Sequence, residues 1–182
     1  DRNTTEQENE MRNDKVMSEA ECKTIAKGLA RVLADTHGLY VKTHGFHWNV
    51  EGSKFRTYHL LFEEQYTDLW NALDELAERI RALGHYAPTS YSDFAELSSV
   101  QEERGVPGPL EMLRKLVHDN ELVVRTMREI RPAIEDAADN ASANLLDDRL
   151  VQHEKQIWMM KSMLKEVDDK DEVTASVLNT LA

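Results

Sequence analysis

A chain of 182 residues, 41% hydrophobic and 31% charged, is long enough for one compact domain with its own core. Its formal net charge of −12 argues against a broad phosphate-binding surface and favours solubility and attraction of cations. One cysteine, Cys22, excludes an intrachain disulfide framework, and no apolar run approaches the length of a bilayer span.

Residues 1–17 set Asp1, Glu6, Glu8, Glu10 and Asp14 against Arg2, Arg12 and Lys15, with no apolar period. A flexible N-terminal tail is expected there, and the stretch lacks the apolar segment of a signal peptide, so a cytoplasmic protein is expected. Ser18, with Glu21 three residues on, forms a capping box that starts a helix carrying Ile25, Leu29, Val32, Leu33, Leu39 and Tyr40 at helical spacing. "NVEGS" at 49–53 breaks that pattern. A second helix is expected from about 54 to 83, with a stripe of Leu60, Leu61, Leu69, Leu73, Leu76, Ala77 and Ile80 and with Gly84 at its C-cap. The segment 85–108 contains Pro88, Gly105, Pro107 and Gly108 and reads as a long connection holding one short helix capped by Ser92. Pro109 suits the first turn of a third helix, about 109–138, in which Pro132 removes a hydrogen bond or kinks the axis. "DNAS" at 139–142 reads as the next break, and a fourth helix is expected over about 143–167, leaving 168–182 as a C-terminal tail.

Four helices of this length span roughly 40 Å each. An antiparallel pair turns in a few residues, so a connection of about 25 residues between helices two and three suits a crossover along a bundle. The expected fold is all-α, a single ferritin-like four-helix bundle with a short extra helix in that connection.

Bundles of this topology often hold two irons through Glu-x-x-His pairs. No histidine in this chain has a glutamate three residues before it, so an intra-bundle site of that kind is not supported. The second helix offers a different pattern. His59 and Glu63 are four apart, as are Asp74 and Glu78, and the eleven residues from Glu63 to Asp74 turn only about 20° past three full turns. All four groups share one stripe, yet the pairs stand about 16 Å apart, too far for one ion. Two antiparallel copies across a two-fold axis would bring His59 and Glu63 of one to Asp74 and Glu78 of the other, with His47 available to complete each cluster. Imidazole mixed with carboxylate suits Fe(II), and less selectively Zn or Mn. Acidic helix faces carry such pairs without any ligand, so spacing alone leaves a solvated face as the other reading.

The stretch "FHWNVEGSKFRTYHLLFEEQYTDLWNALDELAERIRALG" carries His47-Trp48-Asn49, a second histidine at 59, an acid four residues later, and Asp74 and Glu78. In this, in the short interhelical helix and in "HEKQIWMM" at 153–160, the chain resembles the Dps family, small ferritin-like proteins that protect DNA in starved cells. The resemblance covers about residues 25–165. It implies a dodecameric shell of identical subunits that oxidises Fe(II), usually with hydrogen peroxide, and stores iron as ferric mineral, protecting against oxidative damage. It assigns His47, His59 and Glu63 to one subunit's half of a metal and catalytic site and Asp74 and Glu78 to its neighbour's, with Glu78 the candidate bridge between irons. Glu63 stands where many members carry Asp. Trp48 is expected beside the site, packing it or trapping a stray oxidising equivalent. By the same resemblance Asp139, Asp147 and Asp148, with Glu135 and Glu154 as further candidates, are placed near an acidic pore through which iron is taken up, and Glu75 near mineral nucleation. Members that bind DNA through a tail use a Lys-rich one, whereas residues 1–20 here carry six acids against three bases, so DNA binding through the tail is not expected. The alternative is a structural, nucleoid-associated protein without significant ferroxidase activity; a zinc- or copper-binding bundle without redox work is a weaker one.

Overall fold

The computed structural model describes residues 17–180, with side chains described through residue 165. The expected N-terminal tail therefore lies, Met17 excepted, outside the described residues. Among the described residues there are five helices, α1 (Glu19–Asn49), α2 (Phe55–Ala82), α3 (Tyr91–Leu97), α4 (Pro109–Asp136) and α5 (Asn140–Thr180), and no strand. The long helices make two antiparallel hairpins, α1–α2 and α4–α5, which pack into a four-helix bundle.

Local chemistry sets the boundaries. At the start of α1 the Ser18 hydroxyl accepts from the Glu21 N–H, while the Glu21 carboxylate accepts from the Ser18 N–H at 2.7 Å. Gly52, at φ +112°, turns the chain from α1 into α2. Past α2, Gly84 adopts φ +86° and donates to the Arg81 carbonyl while His85 donates to that of Ile80, a Schellman ending. α4 ends the same way with Ala138 at φ 54°, an alanine where a glycine is expected, and its N–H donates to the Glu135 carbonyl. α4 runs unbroken through Pro132.

Two expected boundaries move. The short helix is capped by Ser90, not Ser92: the Ser90 hydroxyl accepts from the Asp93 N–H and the Asp93 carboxylate accepts from the Ser90 N–H. α5 begins at Asn140 rather than near 143, because the Asp139 carboxylate accepts from the Ser142 N–H at 3.1 Å and caps the first turn. Its backbone continues to Thr180, beyond the expected end near 167.

The core is continuous across all four long helices. Ile25, Leu29 and Leu39 of α1, Phe62, Leu69 and Leu76 of α2, Met112, Leu116 and Met127 of α4, and Leu146 and Met160 of α5 are all buried. Each such side chain contributes about 1.5–3 kcal/mol on burial. At Gly28 an added Cβ would stand 2.5 Å from Ile130 Cγ2, so α1 and α4 meet there at glycine-limited distance. Buried polar contacts fix the register. Lys42 of α1 pairs with Asp119 of α4, both nearly inaccessible to solvent. Asp35 accepts from the Thr126 hydroxyl at 2.6 Å and from the Ser98 hydroxyl and Ser99 N–H, which ties the α3 connection to the bundle. Among the described residues no helix is long and apolar enough to cross a membrane.

Candidate metal centre

The last turn of α1 delivers His47, and the first turns of α2 deliver His59 and Glu63, because the tight link at 50–54 folds the two helix ends side by side. The two imidazoles stack with ring centroids 3.8 Å apart and planes 21° from parallel. Each Nδ1 lies 2.9 Å from the other residue's backbone carbonyl, His47 to His59 O and His59 to His47 O. A carbonyl only accepts, so each Nδ1 carries the proton and donates. Both rings thereby hold the tautomer that leaves the Nε2 lone pair free, as a metal-ligating histidine requires. The His59 bond also caps a carbonyl at the C-terminal end of α1, where no further helical N–H follows.

Glu63, one turn after His59, completes a cluster whose ligand atoms all lie within 4.8 Å of one another. His47 is 9% exposed, His59 half-buried and Glu63 open to solvent. Among the described residues this is the one group of His, Cys, Asp or Glu so disposed. It holds two nitrogens and one carboxylate, an unsaturated set that fits a divalent iron with positions still open. Asp74 and Glu78 are exposed on α2 and do not join the cluster in the same chain. Glu75 is exposed between them.

Aromatic side chains surround the nitrogens. Tyr66 sets its ring edgewise to His47 at 5.1 Å and stacks on His44 at 4.0 Å. His44 Nδ1 is 3.2 Å from the Tyr40 hydroxyl, and burial, then the neighbouring His47, lowers the His44 pKa. His44 therefore supports the site from behind and is not one of its clustered ligands. Trp48 is 67% exposed and touches His44, with ring centroids 4.2 Å apart. The sequence reads Tyr40 only as one position of the apolar stripe of α1 and does not single out Tyr66. Both occupy ordinary helical core spacing, and only the approach of α1 to α2 reveals what they line.

The acids expected near a pore have varied surroundings. Asp139 is buried, hydrogen-bonded to Arg79 at 2.7 Å and to Ser142 at 2.5 Å. Burial would raise its carboxyl pKa, but the Arg79 and Ser142 hydrogen bonds overcome that and hold it below the usual range. Its carboxylate is thus committed to capping α5 and to Arg79. Asp147 and Glu135 both pair with Arg131, and Glu154 with Arg128. Asp148 is exposed.

Comparison with known proteins gives a consistent picture. The Ferritin-like domain family model matches residues 26–169. A DNA protection during starvation protein of Brevibacillus brevis is 36% identical over 141 residues, 78% of this chain and 95% of that protein. The crystal structure of a Dps protein from Bacillus brevis superposes with a TM-score of 0.78 at 34% identity, covering 81% of this chain and 99% of the other. That of a Dps protein from Vibrio cholerae O1, described as a ferritin-like diiron-carboxylate protein, gives a TM-score of 0.79 at 29% identity, covering 81% and 93%.

Proposed function

Because this chain belongs to the Dps family of ferritin-like proteins, we propose that it is a ferroxidase that oxidises Fe(II) with hydrogen peroxide at sites shared between two copies. The ferric product is stored as mineral inside a cytoplasmic shell of twelve subunits. The observation that carries this reading is the half-site of His47, His59 and Glu63, with both histidines held in the ligating tautomer and the ligand set left incomplete.

Iron is the substrate. His47 and His59 offer neutral Nε2 atoms, and Glu63 offers a carboxylate that offsets the ion's charge. Asp74 and Glu78 of a second copy supply the remaining oxygens, Glu78 bridging two ions, in a self-complementary arrangement across a two-fold axis. Two Fe(II) ions each give one electron. The peroxide O–O bond takes both and breaks, two protons are consumed and two waters leave. Paired electron transfer releases no hydroxyl radical, and this is the protective logic of the reaction. Trp48 packs against His44 at the margin of the site. Asp147 and Asp148 add negative potential that draws Fe(II) toward the start of α5, and Glu75 adds a carboxylate near the expected nucleation surface. DNA binding through the N-terminal tail is no part of this reading, since that segment is net acidic.

The test is peroxide-driven and aerobic Fe(II) oxidation by purified protein beside His59→Ala and Asp74→Ala. Each single variant is expected to fall to the background rate. Mixed assemblies of the two are expected to regain activity, because one of the two sites across each mixed interface is then intact. Wild-type oxidation at background rate refutes the enzyme. Failure of the mixture to recover refutes the sharing of ligands between copies. Sizing of the assembly checks the twelve-subunit shell.

A further inference from the structure

α2 and α5 meet along a polar seam. Arg149 clamps Asp68 through two bonds of 3.0 and 2.6 Å, and Arg79 reaches Asp139 at 2.7 Å and Ser142 at 2.9 Å. These contacts fix an antiparallel register. With residue 68 opposite 149, Gln65, three residues earlier, faces position 152, three residues later, and Gln156 stands about one turn beyond.

Gln65 is 1% exposed, yet neither its Nε2 nor its Oε1 has a hydrogen-bond partner. Arg149 Nε and Gln156 Oε1 are likewise buried without one. These four are all the buried side-chain atoms without a partner among the described residues, and all four belong to residues of α2 and α5. Two are donors, Gln65 Nε2 and Arg149 Nε, and two are acceptors, Gln65 Oε1 and Gln156 Oε1. Buried polar groups in folded proteins are almost always satisfied, by protein or by ordered water.

We infer that the α2–α5 seam holds ordered internal water, bound by the Gln65 amide and bridged to Gln156 Oε1 and Arg149 Nε. Water supplies two protons and two lone pairs, which matches two stranded acceptors and two stranded donors. An ion does not fit. The charges at hand, Asp68 and Arg149, already neutralise each other, so a cation would face the guanidinium and an anion the carboxylate. The seam lies on the core side of α2. Gln65 is two residues, about 200° of helical rotation, from Glu63, so the water sits behind the His47, His59 and Glu63 group and does not belong to it.

A crystal structure at a resolution that shows ordered solvent tests it directly. The expected result is solvent density within hydrogen-bonding distance of the Gln65 amide and of Gln156 Oε1 or Arg149 Nε. An empty seam, or a Gln65 amide bonded to protein atoms instead, overturns it. Gln65→Met gives a second reading, because methionine keeps the length and removes both polar atoms. Loss of the bound water strands Gln156 and Arg149, so the melting temperature is expected to fall. A rise overturns the inference, since it would mean that the variant had relieved an amide buried in a dry seam.

Discussion

His153 gives the fold a pH dependence that can be worked through. It is buried in α5, and its Nδ1–H donates to the Asn120 Oδ1 at 2.7 Å. Burial first, and then the Arg149 charge, push its pKa from 6.5 down to about 3, with Asp68 opposing. In the unfolded chain the ring protonates near 6.5; in the folded protein it stays neutral until about pH 3. Stability from this group is therefore fully present above pH 6.5 and is lost as pH falls toward 3. The slope is about 1.4 kcal/mol per pH unit, so roughly 3 kcal/mol is gone at pH 4.5. His153→Gln keeps a neutral N–H donor for Asn120 and removes the titration. Denaturant unfolding followed by far-UV circular dichroism at pH 7 and at pH 4.5 reads the difference. The wild type is expected to lose about 3 kcal/mol more than the variant between the two pH values. Equal losses would show that His153 is not held neutral in the fold, and the reasoning would fail.

Two further outcomes follow from backbone geometry. Gly28→Ala drives a methyl to 2.5 Å from Ile130 Cγ2 and 2.9 Å from its Cβ, and a β-branched side chain on a helix has little room to yield. Overpacking outweighs the gain in helix propensity, and a net loss of about 1–2 kcal/mol is expected in thermal or denaturant unfolding. Ala138→Gly relieves the left-handed residue that ends α4 and is expected to stabilise by about 0.5–1 kcal/mol, read as a raised melting temperature; a lowered one would refute it.

The bundle was legible because long apolar periods, a Ser18 capping box and a glycine after α2 all point the same way. So was the stripe of His59, Glu63, Asp74 and Glu78, because helical rotation is simple arithmetic. The clustering of His47 with His59 rests on how tightly 50–54 turns, which spacing does not state. The start of α5 is not legible in the sequence because Asp139 and Asn140 look like loop residues, whereas Arg79 holds the buried Asp139 carboxylate where the first turn needs an acceptor. Ser90 rather than Ser92 caps the short helix because, of the two, only Ser90 has an acid three residues on. Ala138 carries no sign of its positive φ, because glycine is the residue that normally announces one. The polar seam between α2 and α5 was hidden too, since Gln65 and Gln156 read as ordinary polar helix positions until the helices are placed.

The crossed bonds between His47 and His59 limit what could replace either residue. A carboxylate can bind iron as well as an imidazole can, but it has no N–H to give to a carbonyl. An aspartate or glutamate at 47 or 59 would turn its oxygens toward the opposing backbone oxygen, and the α1–α2 hairpin would splay at that end. In the proposed site the nitrogen content is thus dictated by the folding of the hairpin as well as by the taste of the metal, and a redesign that seeks an all-oxygen site must first find another clasp for these two helix ends.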